Sequence, residues 1–369
     1  MAGIYIHIPF CRQACHYCNF HFSTSLLYKN ELIEALLKEI EIRKDYLENA
    51  PVETIYFGGG TPSLLEFSDI QQIIDKINER YKPSQDIEFT IETNPDDISE
   101  AKLLEWKKAG INRLSIGVQS FFEEDLRWMN RAHNAEQALH SITSAKQYFE
   151  NITIDLIYGT PLTTNEKWKQ NLEMAIALEV PHLSCYALTV EPKTPLDKMI
   201  RLKEKAPVDP DKQSEQFLFT MDWLKKTGYE HYEISSFAKT GYRSRHNSSY
   251  WSGEKYIGLG PSAHSYNGVS RQWNISNNNI YIRSLKGNTL SFEEENLTPV
   301  QKLNEYIMTS LRTMEGISLK KLSAAEQKKI RQQSEKYLRS GVMEIKNDFL
   351  ILTNQGKLMA DGIAADLFF

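Results

Sequence analysis

The sequence predicts an α/β fold: a parallel, barrel-like sheet followed by a small α+β module. Three observations carry this. Strand-like and helix-like stretches alternate over residues 1–237 at a spacing that implies βαβ units. Polar residues recur at or near C-terminal strand ends, where barrel sites gather: the Gly59–Thr61 turn, Glu92, Asn94, Gln119 and Asp155. From about residue 298 the texture changes to two helices and a β-hairpin, a winged-helix-like order.

In chain order, IYIHIPF (4–10) is an apolar, β-branched strand. Residues 28–46 place Leu32, Leu36 and Ile40 at helical spacing. TIYFGGG (54–60) is a strand ending in glycines, and 68–81 a helix. IEFTIETN (87–94) is the next strand, and 99–109 a helix closed by Gly110. RLSIGVQS (113–120) and ITIDLIYG (152–159) are strands, each followed by a helix, near 135–149 and 165–179. HLSCYALT (182–189) is a sixth strand, 211–227 a helix ended by Gly228, and YEHYEISSF (229–237) a further strand. The Pro- and charge-rich stretch 190–212 reads as a long surface connection, and 238–292, rich in Asn, Ser, Gly and Tyr, as a connecting region of weak periodicity. Residues 293–369 form the C-terminal module.

The 369 residues suffice for a well-buried core, and 25% charged with 41% hydrophobic residues is ordinary for a globular protein. A net charge of −5 gives no general electrostatic case for nucleic-acid binding. No apolar run reaches the length of a membrane span, and the N-terminus lacks the features of a secretory signal. Of four cysteines, three lie within eight residues. That argues against a disulfide scaffold and for a reducing compartment, with the cytoplasm as the default.

Those three, Cys11, Cys15 and Cys18 in YIHIPFCRQACHYCNFHF (5–22), have the spacing C-x3-C-x2-C. One short loop can aim three thiolates at a common centre. A [4Fe–4S] cluster normally takes four cysteines, so three leave one iron open for a small molecule. Structural zinc is the competitor; it usually wants four protein ligands, and no second C-x2-C pair exists, though His7, His16 or His21 could complete a tetrahedron. Cys185, alone inside a strand, reads as a buried structural thiol.

The apolar run, the cysteine spacing and the following Asn-Phe resemble the cluster loop of radical S-adenosylmethionine (SAM) enzymes, specifically the HemN/HemW group, which holds oxygen-independent coproporphyrinogen III dehydrogenase and a haem chaperone. The resemblance implies a partial (β/α)6 barrel, open on one side, over residues 1–237, with a HemN-type domain over 293–369. It also implies a [4Fe–4S] cluster on Cys11, Cys15 and Cys18, with SAM on the open iron.

By the same resemblance, Gly59, Gly60 and Thr61 of GGGTP contact the methionine moiety, although the glycines alone would suit a tight turn. Glu92, Gln119, Arg131 and Asp155 align with SAM contacts, and Tyr5 with a tyrosine near the cluster. Each is weak alone: a strand-end glutamate, a helix cap, a solvated arginine, an aspartate paired with any base. Together they recur along one edge of the sheet. His133 reads as a surface histidine without a role.

Three features point to the chaperone branch. Phe20 stands where the dehydrogenases typically carry a further cysteine, and the chain begins four residues before Tyr5, without the dehydrogenase's N-terminal extension. HNSSYW (246–251) matches a haem-associated motif of the chaperones; an imidazole is a good axial ligand and Tyr and Trp offer flat apolar surface. His246 is the expected haem residue, with Tyr250 and Trp251 in support and His264, in GLGPSAHSY, as a secondary candidate. The expectation is a haem-binding protein that delivers haem to apo-haemoproteins. The alternative is oxidative decarboxylation of coproporphyrinogen III. A donor to respiratory haemoproteins would make peripheral membrane contact, but no amphipathic anchor shows.

Overall fold

The computed structural model describes residues 2–369. Six strands form the heart of the sheet, all but the last rich in β-branched residues: β1 (Ala2–Ile8), β2 (Val52–Gly59), β3 (Pro83–Thr93), β4 (Arg113–Gln119), β5 (Asn151–Tyr158) and β6 (His182–Ala187). They pair in parallel in sequence order, with Ile4 opposite Ile55 and Ile116 opposite Ile154. Along the strands, apolar residues that pack against the helices alternate with polar but buried ones on the opposite face, among them Thr54, Glu88, Thr90, Arg113, Ser115, Thr153 and Ser184. The covering helices are α1 (Lys29–Ile42), α2 (Phe67–Arg80), α3 (Glu100–Lys108), α4 (Glu123–Met129), α5 (Ala135–Ala145), α6 (Asn165–Ala177), α7 (Pro195–Arg201) and α8 (Pro210–Lys226). Trp106, Trp168 and Phe57 are among the largest buried side chains beneath them.

The sheet does not close. Its order is β12 (Phe292–Asn296), β11 (Ser270–Asn274), β10 (His264–Tyr266), β9 (Lys255–Leu259), β1, β2, β3, β4, β5, β6, β8 (Ser236–Ala238), β7 (Glu230–Glu233), so the parallel run stops at β6, where antiparallel β8 and β7 follow, and β9 extends it on the other side. This is the partial barrel, open on one side. The stretch 238–292 is more regular than its composition suggests. It carries α9 (Arg245–Ser252), β9 (Lys255–Leu259), β10 (His264–Tyr266), β11 (Ser270–Asn274) and α10 (Asn278–Lys286), and β12 (Phe292–Asn296) follows. β9 pairs in parallel with β1, Ile4 opposite Ile257, as a seventh barrel strand.

Two further expectations need correction. The run 229–237 is not one strand but a tight antiparallel pair, β7 (Glu230–Glu233) and β8 (Ser236–Ala238), turned where the Ser235 N–H donates to Glu233 Oε1 at 3.1 Å. The surface connection 190–212 contains α7. Thr194 caps it by accepting from the Asp197 N–H at 3.2 Å, and Pro195 sits at its first position, a start signal that the surrounding charge obscured.

The C-terminal module has its own core of Ile307, Leu311, Ile317, Ile330, Leu350 and Ile363. Helices α11 (Pro299–Leu311) and α12 (Ala324–Arg339) pack on a three-stranded sheet of β13 (Ile317–Ser318), β14 (Met343–Lys346) and β15 (Phe349–Leu352), with α13 (Asn354–Lys357) and α14 (Ala360–Asp366) closing it. Backbone bonds from Ile234 to Arg312 and from Met314 to Tyr232 join it to the barrel edge. Among the described residues no helix is long and apolar enough to cross a membrane.

Candidate functional site

The cysteine loop leaves β1 and is fastened by its backbone. The Cys11 N–H donates to Ser23 O at 3.0 Å and the Cys18 N–H to Cys15 O at 3.3 Å. Asn130, left-handed at φ 60°, ends α4 and turns its amide onto the loop, donating to Ala14 O at 2.7 Å while Gln13 donates back to Asn130 O at 2.9 Å. Helix α7 adds the Leu196 N–H on His16 O at 2.8 Å. The loop is therefore held by main-chain and amide contacts, independently of its thiols.

The three thiols line one wall of a cavity of about 290 Å3 at the C-terminal strand ends. Gly59, Gly60, Thr61, Glu92, Gln119, Arg131 and Asp155 complete it. A chain of side chains ties the walls. Thr61 Oγ1 donates to Cys11 Sγ at 3.6 Å and accepts from Asn94 Nδ2 at 3.1 Å. Asn94 Oδ1 accepts from Arg131 at 2.6 Å, and Arg131 donates to Cys15 Sγ at 3.3 Å. Asn94 was flagged by its strand-end position, but its bridging role depends on Arg131, far away in sequence. Tyr17, between the second and third cysteines, also meets Arg131, at 3.5 Å.

The backbone is specialised where the cavity needs it. A side chain at Gly60 would meet Phe10 O at 2.6 Å, and Gly59, at φ 107°, would collide with the His7 ring at 2.5 Å. The turn can approach the cysteine loop only as glycine. Its amides are taken: Gly59 by Glu92 at 3.2 Å, Gly60 by Ile8 O at 2.9 Å and Thr61 by Phe10 O at 2.6 Å. Gln119 is left-handed, φ 64°, at an irregularity in β4, a conformation that costs about 1 kcal/mol or more and aims its amide into the cavity.

Burial sets the charges. It lifts the Glu92 carboxyl to about 7 and the Asp155 carboxyl to about 6, and raises the Cys11 and Cys18 thiols, Cys11 to about 11. Two acids whose charge is penalised by burial thus share the cavity with two thiols, Cys11 and Cys18, whose ionisation a nearby cation or metal would favour. Arg131 Nε is buried without a partner. Among the described residues no three His, Cys, Asp or Glu side chains are grouped to hold a single metal ion.

Two predicted residues lie elsewhere. Tyr5 lines a neighbouring cavity and bonds His7 Nδ1 at 3.1 Å. His246 is 1% exposed, with Nδ1 on Thr54 Oγ1 and Nε2 on Tyr250 OH, both at 2.8 Å. It stacks on Tyr56 at 4.9 Å, and Tyr56 OH donates to Glu92 Oε1 at 2.7 Å. Trp251 lines a larger cavity of about 590 Å3 between the barrel and the C-terminal module. His133 is not at the surface: it is 3% exposed and bonds Val118 O at 3.0 Å. Phe20, by contrast, is 68% exposed, a large apolar ring at the cavity lip. Cys185 is buried in β6.

Residues 5–199 match the radical SAM superfamily, and the curated Heme chaperone HemW of Bacillus subtilis (strain 168) is 34% identical over 372 residues, 98% of this chain and 98% of that protein. The chain belongs to the radical SAM superfamily, in its HemW group. HemW of Mycobacterium tuberculosis (strain ATCC 25618 / H37Rv) is 33% identical over 99% of this chain and 94% of that one. HemW of Escherichia coli (strain K12) is 36% identical over 71% of this chain. Among solved structures, coproporphyrinogen III oxidase (HemN) of Escherichia coli superposes with a TM-score of 0.86 at 23% identity, covering 100% of this chain and 90% of that one. The fold, C-terminal module included, is thus shared across the HemN/HemW divide.

Proposed function

We propose that this protein is a haem chaperone that binds haem and passes it to apo-haemoproteins, using a [4Fe–4S] cluster and SAM. The observation that carries this is the likeness, along nearly the whole chain, to curated relatives named for that task. Cys11, Cys15 and Cys18 would hold the cluster, leaving one iron without a protein ligand. The donor set suits SAM. Glu92 and Asp155 offer acceptors to its cationic and hydroxyl groups, and the unpartnered Arg131 Nε would serve as a donor to its carboxylate. Because the amides of Gly59, Gly60 and Thr61 are taken, their contact to the ligand falls to oxygen atoms, which accept from an ammonium. Gln119 would reach the ribose, and Tyr5 would border the cluster from the neighbouring cavity. When bound, a reduced cluster supplies one electron to the sulfonium. Thiols that must stay reduced favour a reducing compartment, in keeping with a cytoplasmic protein.

The test is a titration of haemin into anaerobically reconstituted protein. A saturable Soret band is expected, and incubation with coproporphyrinogen III, SAM and a reductant yields no protoporphyrinogen IX. Absence of the band removes the chaperone reading, and turnover replaces it with the dehydrogenase.

Glu92 adds a pH dependence. Its carboxyl sits at about 7, so it is mainly ionised above that pH and neutral below. Attraction for a sulfonium or ammonium is present above and lost below. SAM affinity is expected to fall by roughly tenfold between about pH 8 and about pH 6. Glu92→Gln should flatten that profile, leaving the smaller step of Asp155, whose carboxyl sits at about 6. Equilibrium dialysis across that range checks it; an unchanged profile in the variant takes Glu92 out of the site.

A further inference from the structure

Beside the thiol cavity lies another of about 480 Å3, and the two share Phe20. Its walls are flat and aromatic: Tyr5 from β1, Tyr250 from α9, Tyr256 from β9, and Phe20 at the lip. Three imidazoles face it, His7, His21 and His264. His7 is committed at both nitrogens and His21 at one. His7 bonds Tyr5 OH through Nδ1 at 3.1 Å and His21 O through Nε2 at 2.9 Å. His21 Nε2 bonds Asn278 Oδ1 at 2.7 Å. His264 is different. Its side chain is exposed at the mouth, its ring lies over Trp273 at 6.2 Å and 27°, and its nitrogens make no hydrogen bond among the described residues.

We propose that this cavity receives the porphyrin face of haem, that His264 is the axial ligand to its iron, and that His246 is a positioning residue acting through Tyr250. The proposal rests on the haem-chaperone reading and names its binding site. Four observations converge on it. A cavity of this volume suits a flat ligand, and aromatic walls supply its apolar contacts. An imidazole free of hydrogen bonds is available to a metal, and the stack on Trp273 fixes its plane. No lysine or arginine lines the cavity, so propionates would lie at its mouth in water. The remaining sites lack a free ligand. His246 is buried with both nitrogens engaged, and the larger cavity beside Trp251 has aromatic walls but no imidazole, thiol or thioether. Partial burial and the Arg271 guanidinium hold the His264 pKa below its ordinary value, which keeps the imidazole neutral.

This geometry gives the HNSSYW motif a different use. His246 and Tyr250 are four residues apart on α9, and the imidazole holds the phenol at 2.8 Å. Tyr250 then stands edge-on to Tyr256, with ring centres 4.6 Å apart and planes at 86°. The motif builds a wall of the haem cavity and leaves the iron to a residue on β10.

The experiment compares haemin titrations of wild type, His264→Ala and His246→Gln, all anaerobically reconstituted, by absorption and electron paramagnetic resonance. His264→Ala is expected to lose the imidazole-ligated signature and to weaken haemin binding by roughly tenfold or more, and added free imidazole should restore the signature. His246→Gln should keep the signature with a smaller loss of affinity. Iron-free protoporphyrin IX should bind wild type and His264→Ala alike, which separates loss of the ligand from loss of the fold. If His264→Ala keeps the imidazole signature, or if His246→Gln loses it while His264→Ala does not, the assignment is overturned while haem binding stands. If wild type binds no haemin, the chaperone reading itself fails.

Discussion

Cys15→Ala is expected to leave anaerobically reconstituted protein with almost no iron or acid-labile sulfide, where wild type carries a full cluster. The expectation rests on how the loop is built. Its course is set by the Cys11 and Cys18 amides, the Asn130 staple and the Leu196 amide, none of which involves a thiol. Alanine at 15 removes one sulfur and the acceptor for Arg131 without unthreading the loop. Two thiols remain, too few to hold a cluster that already takes one fewer cysteine than usual. Iron and sulfide analysis, with the visible charge-transfer absorption, reads the result. Cys185→Ser is the control: that sulfur is buried in β6 on a strand wall apart from the cavity, so its loss should leave cluster content unchanged. Full cluster content in Cys15→Ala, or loss of cluster in Cys185→Ser, would refute the three-cysteine site.

The cysteine loop was legible because its information is local: three sulfurs in eight residues carry their own geometry. The six central strands were legible for a similar reason, since each is a short, mostly buried run and the first five are rich in β-branched residues. β9 was harder. KYIGL is short, follows a helix of polar residues and finds its partner β1 some 250 positions earlier, a long-range choice that no periodicity records. The cavity residues split the same way. Glu92, Gln119 and Asp155 declared themselves by ending strands, whereas the Thr61–Asn94–Arg131 chain joins three segments that only the fold brings together. His246 shows the limit most clearly. A histidine beside Tyr and Trp in a polar segment suggests an open ligand, but the segment is helical, and the i, i+4 spacing to Tyr250 turns the imidazole inward. His133 went unread in the same way, because the residues around it are polar while its own ring packs beneath β4.

Glu39 escaped sequence reading altogether, and its removal is expected to have the largest effect on stability. It looks like half of an ordinary Glu–Arg pair on an exposed helix, yet it falls seven residues after Leu32 and three after Leu36, on the buried stripe of α1. Its carboxylate is 0% exposed. It accepts from the Gly260 N–H and Asn274 Nδ2 at 2.8 Å, from Tyr281 OH at 2.6 Å and from Arg43 at 3.2 Å. Arg43, also buried, donates onward to Gly258 O, Ser265 Oγ and Gln272 Oε1, each at 3.0 Å. One ion pair thus pins β9, β10, β11 and α10 to the first barrel helix. Glu39→Ala leaves a buried guanidinium without its countercharge and takes an acceptor from three further donors, and should cost roughly 3–5 kcal/mol in urea unfolding. In a double-mutant cycle with Arg43→Met, the second substitution should cost less in the Glu39→Ala background than alone, because it removes the uncompensated charge. A loss below about 1 kcal/mol for Glu39→Ala would mean that the carboxylate is not held as described. The consequence reaches function, since Gly260 begins the loop that leads to His264. Below the denaturation midpoint, Glu39→Ala should bind haemin more weakly than wild type while its cluster content, set on the other side of β1, stays the same.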